Sequence, residues 1–375
     1  MRERRLAQGG RLVVGWCGRM NPDMEKPVIK IAYVDFFSAF DPERNVLAEA
    51  LREHFTPVID EARPDFLFHS CYGVRHLAYR DCVKIFQCEE NLAPDLNQSD
   101  YAISSCRMDC GGRNLYMPAC FSVYRGGSSA ELPPVERGMA HREFCSFIYS
   151  HAKVGAGSVR RKEFCERLMR DYAHVACPGA VLHNMDAPEL AARSDGANWN
   201  ASKIRFLSRY KFNIAFENSN ADGYITEKLT DCFLGNTVPI YYGAAGNPAP
   251  FPREAMIYAN DYANEEALLA RIREVNENDE LYLSMLAANP LRHGMDFSPK
   301  RAIADYLEPI IRRGNKPFEK DAWKFGDAAR LHRLARGASP LALRLRYLLA
   351  CITGADRPHR HALKNALRDL TQLHR

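Results

Sequence analysis

The sequence predicts an α/β protein: two units of comparable size facing a cleft, followed by a basic helical tail. Three observations carry this. Short apolar, β-branched runs alternate with helical stretches through the first third of the chain. A Gly-, Ser- and Pro-rich stretch, RGGSSAELPPVERG (125–138), interrupts the alternation, which then restarts. Finally, residues 212–216, 225–234 and 238–242 read as strand, helix and strand joined by short polar or Gly turns, the pattern of a right-handed parallel βαβ unit.

Residues 28–34 (VIKIAYV) form a short apolar run of the kind that makes a buried strand, and 45–55 a helix. Pro64 and Asp65 break the chain before strands at 66–69 and 83–88 (VKIFQC). Further short strands are expected at 101–103, 115–117 and 145–149, and a helix over 158–171. The expected units are 1–140, 141–316 and a tail, 317–375. In the tail Leu341, Leu345, Leu348, Leu349 and Ile352 share a helical face beside Arg344 and Arg346. Such a basic amphipathic helix packs on the body, on a second copy of the chain, or on an anionic membrane surface.

Composition narrows the function. With 375 residues, 46% hydrophobic and 26% charged, the chain can bury two cores and is not disordered. No run approaches the roughly 20 apolar residues of a spanning helix. The apolar run at 12–16 is too short for a secretory signal core, so a cytoplasmic location is expected, peripheral to the membrane if the tail binds it. The twelve scattered cysteines then read as reduced thiols. Of the net charge of +5, the tail carries more than its share: residues 310–375 hold 15 Lys and Arg against 5 Asp and Glu. The body is mildly acidic, which argues against a nucleic-acid partner. No Walker-type loop and no GxGxxG occurs, which argues against a nucleoside triphosphatase or a nicotinamide dehydrogenase.

The densest chemistry lies in 210–243, YKFNIAFENSNADGYITEKLTDCFLGNTVPIYYG. A strand ends in Glu217 and Asn218, a polar loop with Gly223 follows, and Thr226-Glu227-Lys228 opens a helix. Ligands of open α/β sheets bind beyond the carboxyl ends of strands, where helix N-termini present unpaired N–H groups to anions. Lys228 in a first helical turn opposes the helix dipole, so a bound anion is the better reason for it. A solvated lysine is the plain alternative.

This segment resembles the signature of the α-1,3/4-fucosyltransferases, glycosyltransferase family 10. Weaker similarity extends through FQCEENLAPDLNQSDYAIS, RNLYMP, CSFIYS and RRKEFCERL, so that residues 28–305 are included. The resemblance implies a GT-B architecture of two Rossmann-like domains, the first holding the acceptor and the second GDP-fucose. It also implies an inverting transfer of L-fucose from GDP-β-L-fucose to O3 of N-acetylglucosamine in an oligosaccharide, glycolipid or other glycan. Animal members carry an N-terminal membrane anchor, which this sequence does not display, so the bacterial type is expected.

Carried over residue by residue, Glu90 is the base, Arg161 and Lys228 neutralise the diphosphate, and Glu227 faces the donor sugar or ribose. Asn218, Tyr224 and Ile225 help to hold the nucleotide. Where the family has a Gly before the base, this chain has Glu89, which competes with Glu90; Arg160 competes with Arg161. Glu217 is expected to be structural, bonded to backbone amides. No Asp-x-Asp pair suggests a metal, and two cations replace one. His69 and His76 flank Cys71; they either line the acceptor cleft or sit in the core. A transferase for another GDP-sugar or linkage, and a non-catalytic glycan-binding homologue, remain as alternatives.

Overall fold

The computed structural model describes residues 25–123, 132–152, 156–191 and 196–317. All but the first residue of the expected tail helix region, and the start of the expected linker, lie outside these.

Each unit is a fully parallel sheet. The first contains β1 (Val28–Val34), β2 (Thr56–Ile59), β3 (Phe66–His69), β4 (Val83–Cys88), β5 (Tyr101–Ser104) and β6 (Asn114–Tyr116), in the spatial order β2-β1-β3-β4-β5-β6. The second contains β7 (Glu143–Ser146), β8 (Val175–Ala176), β9 (Tyr210–Phe216), β10 (Val238–Tyr242) and β11 (Ile257–Tyr258), in the order β11-β10-β9-β7-β8. Each order reverses once, between β1 and β3 in the first sheet and between β7 and β9 in the second. Those reversals open crevices at the carboxyl ends of the strands, where ligands of such sheets bind.

Local chemistry explains most elements. β9 is buried at all seven positions, as a central strand covered on both faces must be. Asn45 caps α1 (Val46–Leu51) by accepting the Ala48 N–H at 2.9 Å. α2 (Ala119–Val123) closes the first run of elements; α3 (Ala156–Asp171) follows β7, and α4 (Gly196–Leu207) precedes β9. Thr226 caps α5 (Glu227–Leu234). Asn264 and Asn278 cap α6 (Glu265–Glu277) and α7 (Asp279–Ala287) in the same way as Asn45.

The last described helix, α8 (Lys300–Arg312), returns to the first sheet. Its Ile303, Leu307, Ile310 and Ile311 join Ile29, Leu47, Leu51 and Phe68 in one core. The expected division at 316 follows chain order, whereas the packing of α8 follows its apolar stripe, which completes the first unit. Between the units, Cys120 and Phe121 of α2 and its surroundings pack with Ile225, Leu229, Phe251 and Phe297. No described helix is long and apolar enough to cross a membrane.

Candidate active site

The carboxyl ends of the two sheets meet through the loop 218–225. Asn91, just beyond β4, donates to Ser219 Oγ at 2.9 Å. Arg107 forms an ion pair with Asp222 at 2.6 Å, and Tyr116 donates to the Gly223 carbonyl at 3.1 Å. The Ile225 carbonyl accepts the Cys120 N–H at 2.9 Å, and the Ile225 side chain is fully buried among apolar neighbours. Gly223 must be glycine: its φ is +78°, and a Cβ there would lie 2.5 Å from the Ser105 carbonyl oxygen.

On the second sheet, α3 follows β7 and its first turn abuts the end of β9. A Cβ on Gly157 would lie 2.5 Å from the Glu217 carbonyl oxygen. This 16-residue helix therefore directs its N-terminus at Asn218. Arg161 lies one turn further along, 6% exposed, with its guanidinium over the Tyr149 ring at 4.0 Å and donating to the His151 carbonyl. Burial lowers its pKa, and Tyr149, Glu217 and Glu227 oppose that shift. Its Nε, and Oδ1 of Asn218, are buried and have no partner. These are two buried polar groups that the protein itself leaves unsatisfied. Arg160, the competitor, instead stacks on Tyr242 at 4.2 Å.

Three charged residues organise the start of α5. Glu217 is fully buried and accepts from Thr226 N at 2.7 Å and from Thr226 Oγ1 at 2.8 and 3.0 Å. Lys228 Nζ lies 3.1 Å from Glu217 Oε2 and 3.5 Å from Glu227 Oε1. Burial pushes the Glu217 carboxyl up, and Lys228 pulls it back. Burial also pushes Glu227 up, but Lys228 and Lys203 overcome it and hold Glu227 at about 2. Burial would lower the Lys228 ammonium, yet the two carboxylates raise it, so it stays charged. Sequence reasoning missed Lys203, whose Nζ pairs with buried Asp231 at 2.7 Å. Its partner stands 28 positions away, so no local pattern points to it.

In the first unit, Glu90 is the second residue beyond β4 and its side chain is exposed. Its Oε1 accepts the Tyr72 hydroxyl at 3.3 Å, whereas Glu89 turns to Gln87 at 3.4 Å. Tyr224, 4% exposed, is pushed up by burial and then by Glu217, with smaller contributions from Glu90 and Glu227. Among the predicted residues, Glu227 and Lys228 meet at the start of α5, Arg161 and Asn218 lie by the start of α3, Glu90 stands just past β4 in the other unit, and Ile225 packs in the apolar core.

His69 and His76 are buried, stacked at 4.1 Å with Asp35 beside them. His76 Nδ1 meets Asp35 Oδ2 at 2.6 Å, and His69 Nε2 meets Ser99 Oγ at 2.8 Å. One ligand atom from each of Asp35, His69 and His76 lies within 4.8 Å of the others, and His76 Nε2 also meets Gln98 Oε1 at 3.1 Å.

Two parallel α/β units facing each other, each with one strand reversal, define the GT-B architecture. The sequence narrows this further. Residues 31–124 match the alpha-(1,3)-fucosyltransferase FucT N-terminal domain, and residues 141–288 match glycosyltransferase family 10 (fucosyltransferase) C-term. The chain belongs to glycosyltransferase family 10. It is 27% identical over 238 residues to the alpha-(1,3)-fucosyltransferase FucT of Helicobacter pylori, covering 57% of this chain and 48% of that protein. It is 32% identical over 124 residues to the human GDP-fucose protein O-fucosyltransferase 3, covering 32% of this chain and 25% of that protein. The chain thus spans less than half the length of these relatives. An alpha1,3-fucosyltransferase solved with GDP-fucose superposes with a TM-score of 0.60 at 22% identity, over 78% of this chain and 93% of that one. That likeness establishes the fold.

Proposed function

We propose that the protein is an inverting fucosyltransferase that moves L-fucose from GDP-β-L-fucose to O3 of N-acetylglucosamine in an oligosaccharide or glycolipid. The observation that carries this reading is the pair of cations at the reversal of the second sheet, the buried Arg161 and the half-buried Lys228 anchored on Glu217.

In a single displacement, Glu90 takes the proton of the acceptor hydroxyl as its oxygen attacks C1 of fucose from the face opposite GDP. The bond from C1 to the β-phosphate oxygen breaks, and the electron pair leaves with GDP. Arg161, Lys228 and the N–H groups at the start of α3 receive that growing negative charge, so the residues themselves supply what a metal ion supplies elsewhere. Glu227, held ionised by Lys228 and Lys203, places negative charge beside the sugar as its ring becomes cationic. Asn218, Tyr224 and the Ile225 backbone hold the nucleotide. Glu217 anchors Lys228 and does not touch substrate.

The ten described cysteines are all free thiols, which supports a reducing, cytoplasmic setting. The basic tail would then bind an anionic membrane surface or a second copy of the chain.

The test is mass spectrometry of mixed glycans and of hydroxyl-bearing peptides after incubation with GDP-fucose or GDP-mannose. A deoxyhexose gain on N-acetylglucosamine-containing glycans, from GDP-fucose alone, is the expected result. A gain on peptides alone moves the acceptor to protein, the activity named for the human relative. Transfer from GDP-mannose overturns the donor assignment.

A further inference from the structure

The first sheet has its own reversal, between β1 and β3, and the residues just beyond those strands include Phe37 and Tyr72. We infer that Phe37 and Tyr72 form the acceptor platform: a neutral pyranose lays its apolar face on Phe37, while the Tyr72 hydroxyl orients the Glu90 carboxylate toward that sugar's hydroxyl. This inference rests on the fucosyl-transfer reading and names the substrate class and positioning residues of its empty half.

The two rings meet edge to face with centroids 6.2 Å apart. Phe37 is 44% exposed, yet it is the outer end of an aromatic series: it contacts Phe40 at 6.1 Å, and Phe40 stacks on Phe36 at 4.0 Å and meets Tyr33 at 5.3 Å. An apolar ring held by other aromatics and left exposed beside Tyr72 is suited to a ligand that also has an apolar face. The C–H face of a pyranose is such a surface. The cation of this loop, Arg75, pairs with Glu61 at 3.1 Å.

Tyr72 is equally well placed. Burial and then Glu90 push its hydroxyl pKa upward, so it keeps its proton and donates it to Glu90 Oε1, leaving Oε2 for the acceptor. Its backbone N–H donates to the Asp35 carbonyl at 2.9 Å. Asp35, at φ +61°, accepts Arg75 N and His76 N at 2.9 Å each and His76 Nδ1 at 2.6 Å, fixing the loop that carries Tyr72. A Cβ at Gly73 would collide with the same carboxylate. The buried histidines thus serve the cleft indirectly, through the Tyr72 loop.

The experiment uses the full chain, GDP-fucose and N-acetyllactosamine as probe acceptor, with GDP affinity measured in parallel. Phe37→Ala should raise the acceptor KM about fivefold to tenfold at near-normal kcat and GDP affinity, and Phe37→Trp should restore it. Tyr72→Phe keeps the ring, so it should leave the acceptor KM within about threefold while lowering kcat about tenfold. Phe37→Leu, which preserves bulk, gives an intermediate KM and guards against a misfolded alanine variant. Wild-type KM in Phe37→Ala, or wild-type kcat in Tyr72→Phe, overturns the platform and leaves the fucosyl-transfer reading standing. A wild-type protein that transfers fucose to no acceptor sinks that reading, and the platform with it.

Discussion

Lys228 Nζ lies 3.1 Å from Oε2 of Glu217, a carboxylate with no solvent exposure, and 2.7 Å from Thr226 Oγ1. A cation at the start of α5, where the helix dipole disfavours it, is held by an anion that the end of β9 supplies. The Lys228 side chain remains 17% exposed, so it is anchored and still open to the cleft.

Removing either cleft cation should be costly to turnover. Arg161→Ala and Lys228→Ala are each expected to lower the rate about 100-fold to 1,000-fold, the cost of losing one preorganised charge. Lys228→Ala also strands Glu217, so stability must be followed beside steady-state kinetics. Arg161→Ala carries the cleaner kinetic test; near-normal turnover from a folded variant contradicts the diphosphate assignment.

The carboxylates give a pH signature. Glu227 is held at about 2 in the fold against an ordinary 4.5, so its ionised form contributes stability above about pH 4.5 that is lost as pH falls toward 2. Its side chain is 36% exposed, and solvent screening limits the contribution to ~1 kcal/mol. Melting curves should find Glu227→Gln less stable than wild type at pH 6, with the gap narrowing as pH falls below about 4.5 toward 2. A gap that widens on acidification has the wrong sign.

Lys203 and Asp231 form a pair whose side chains are 11% and 10% exposed. Lys203→Met should destabilise the protein by ~3 kcal/mol, since it leaves a buried carboxylate alone; Lys203→Met with Asp231→Leu should recover most of that. Urea denaturation of the two single variants and the double variant measures this. Equal losses in Lys203→Met and the double variant would show that packing, not charge, is at stake.

Gly157→Ala should disturb the donor side without altering any polar group. The added methyl meets the Glu217 carbonyl oxygen at 2.5 Å and the Asn218 carbonyl at 2.6 Å, so α3 or the end of β9 must shift. A loss of ~1–3 kcal/mol in stability is expected, with weakened GDP binding. Wild-type values for both would mean that the helix start yields freely.

What the sequence made legible follows from how local each feature is. β9 and β10 were readable because long apolar runs mark strands buried on both faces, and α5 because Thr226 caps an apolar stripe. β2 was not: TPVI is short, contains Pro57 and lies exposed on a sheet edge. β8 has two residues and no periodicity to detect. The return of α8 to the first sheet is a matter of tertiary packing, which chain order does not encode. In the site, the segment 210–243 brought Asn218, Glu227 and Lys228 into view together. The role of Glu217 as the anchor of Lys228, and the meeting of Phe37 with Tyr72 and Glu90, depend on strands brought side by side.

The central claim is that a GDP-sugar is held by Arg161 and Lys228 of the second unit. Calorimetric titration of the full chain with GDP in the presence of EDTA tests it most directly. The account predicts one-to-one binding that persists in EDTA and falls at least about tenfold in Arg161→Ala. Folded wild-type protein that fails to bind GDP, or an Arg161→Ala variant that binds it unchanged, would contradict the account.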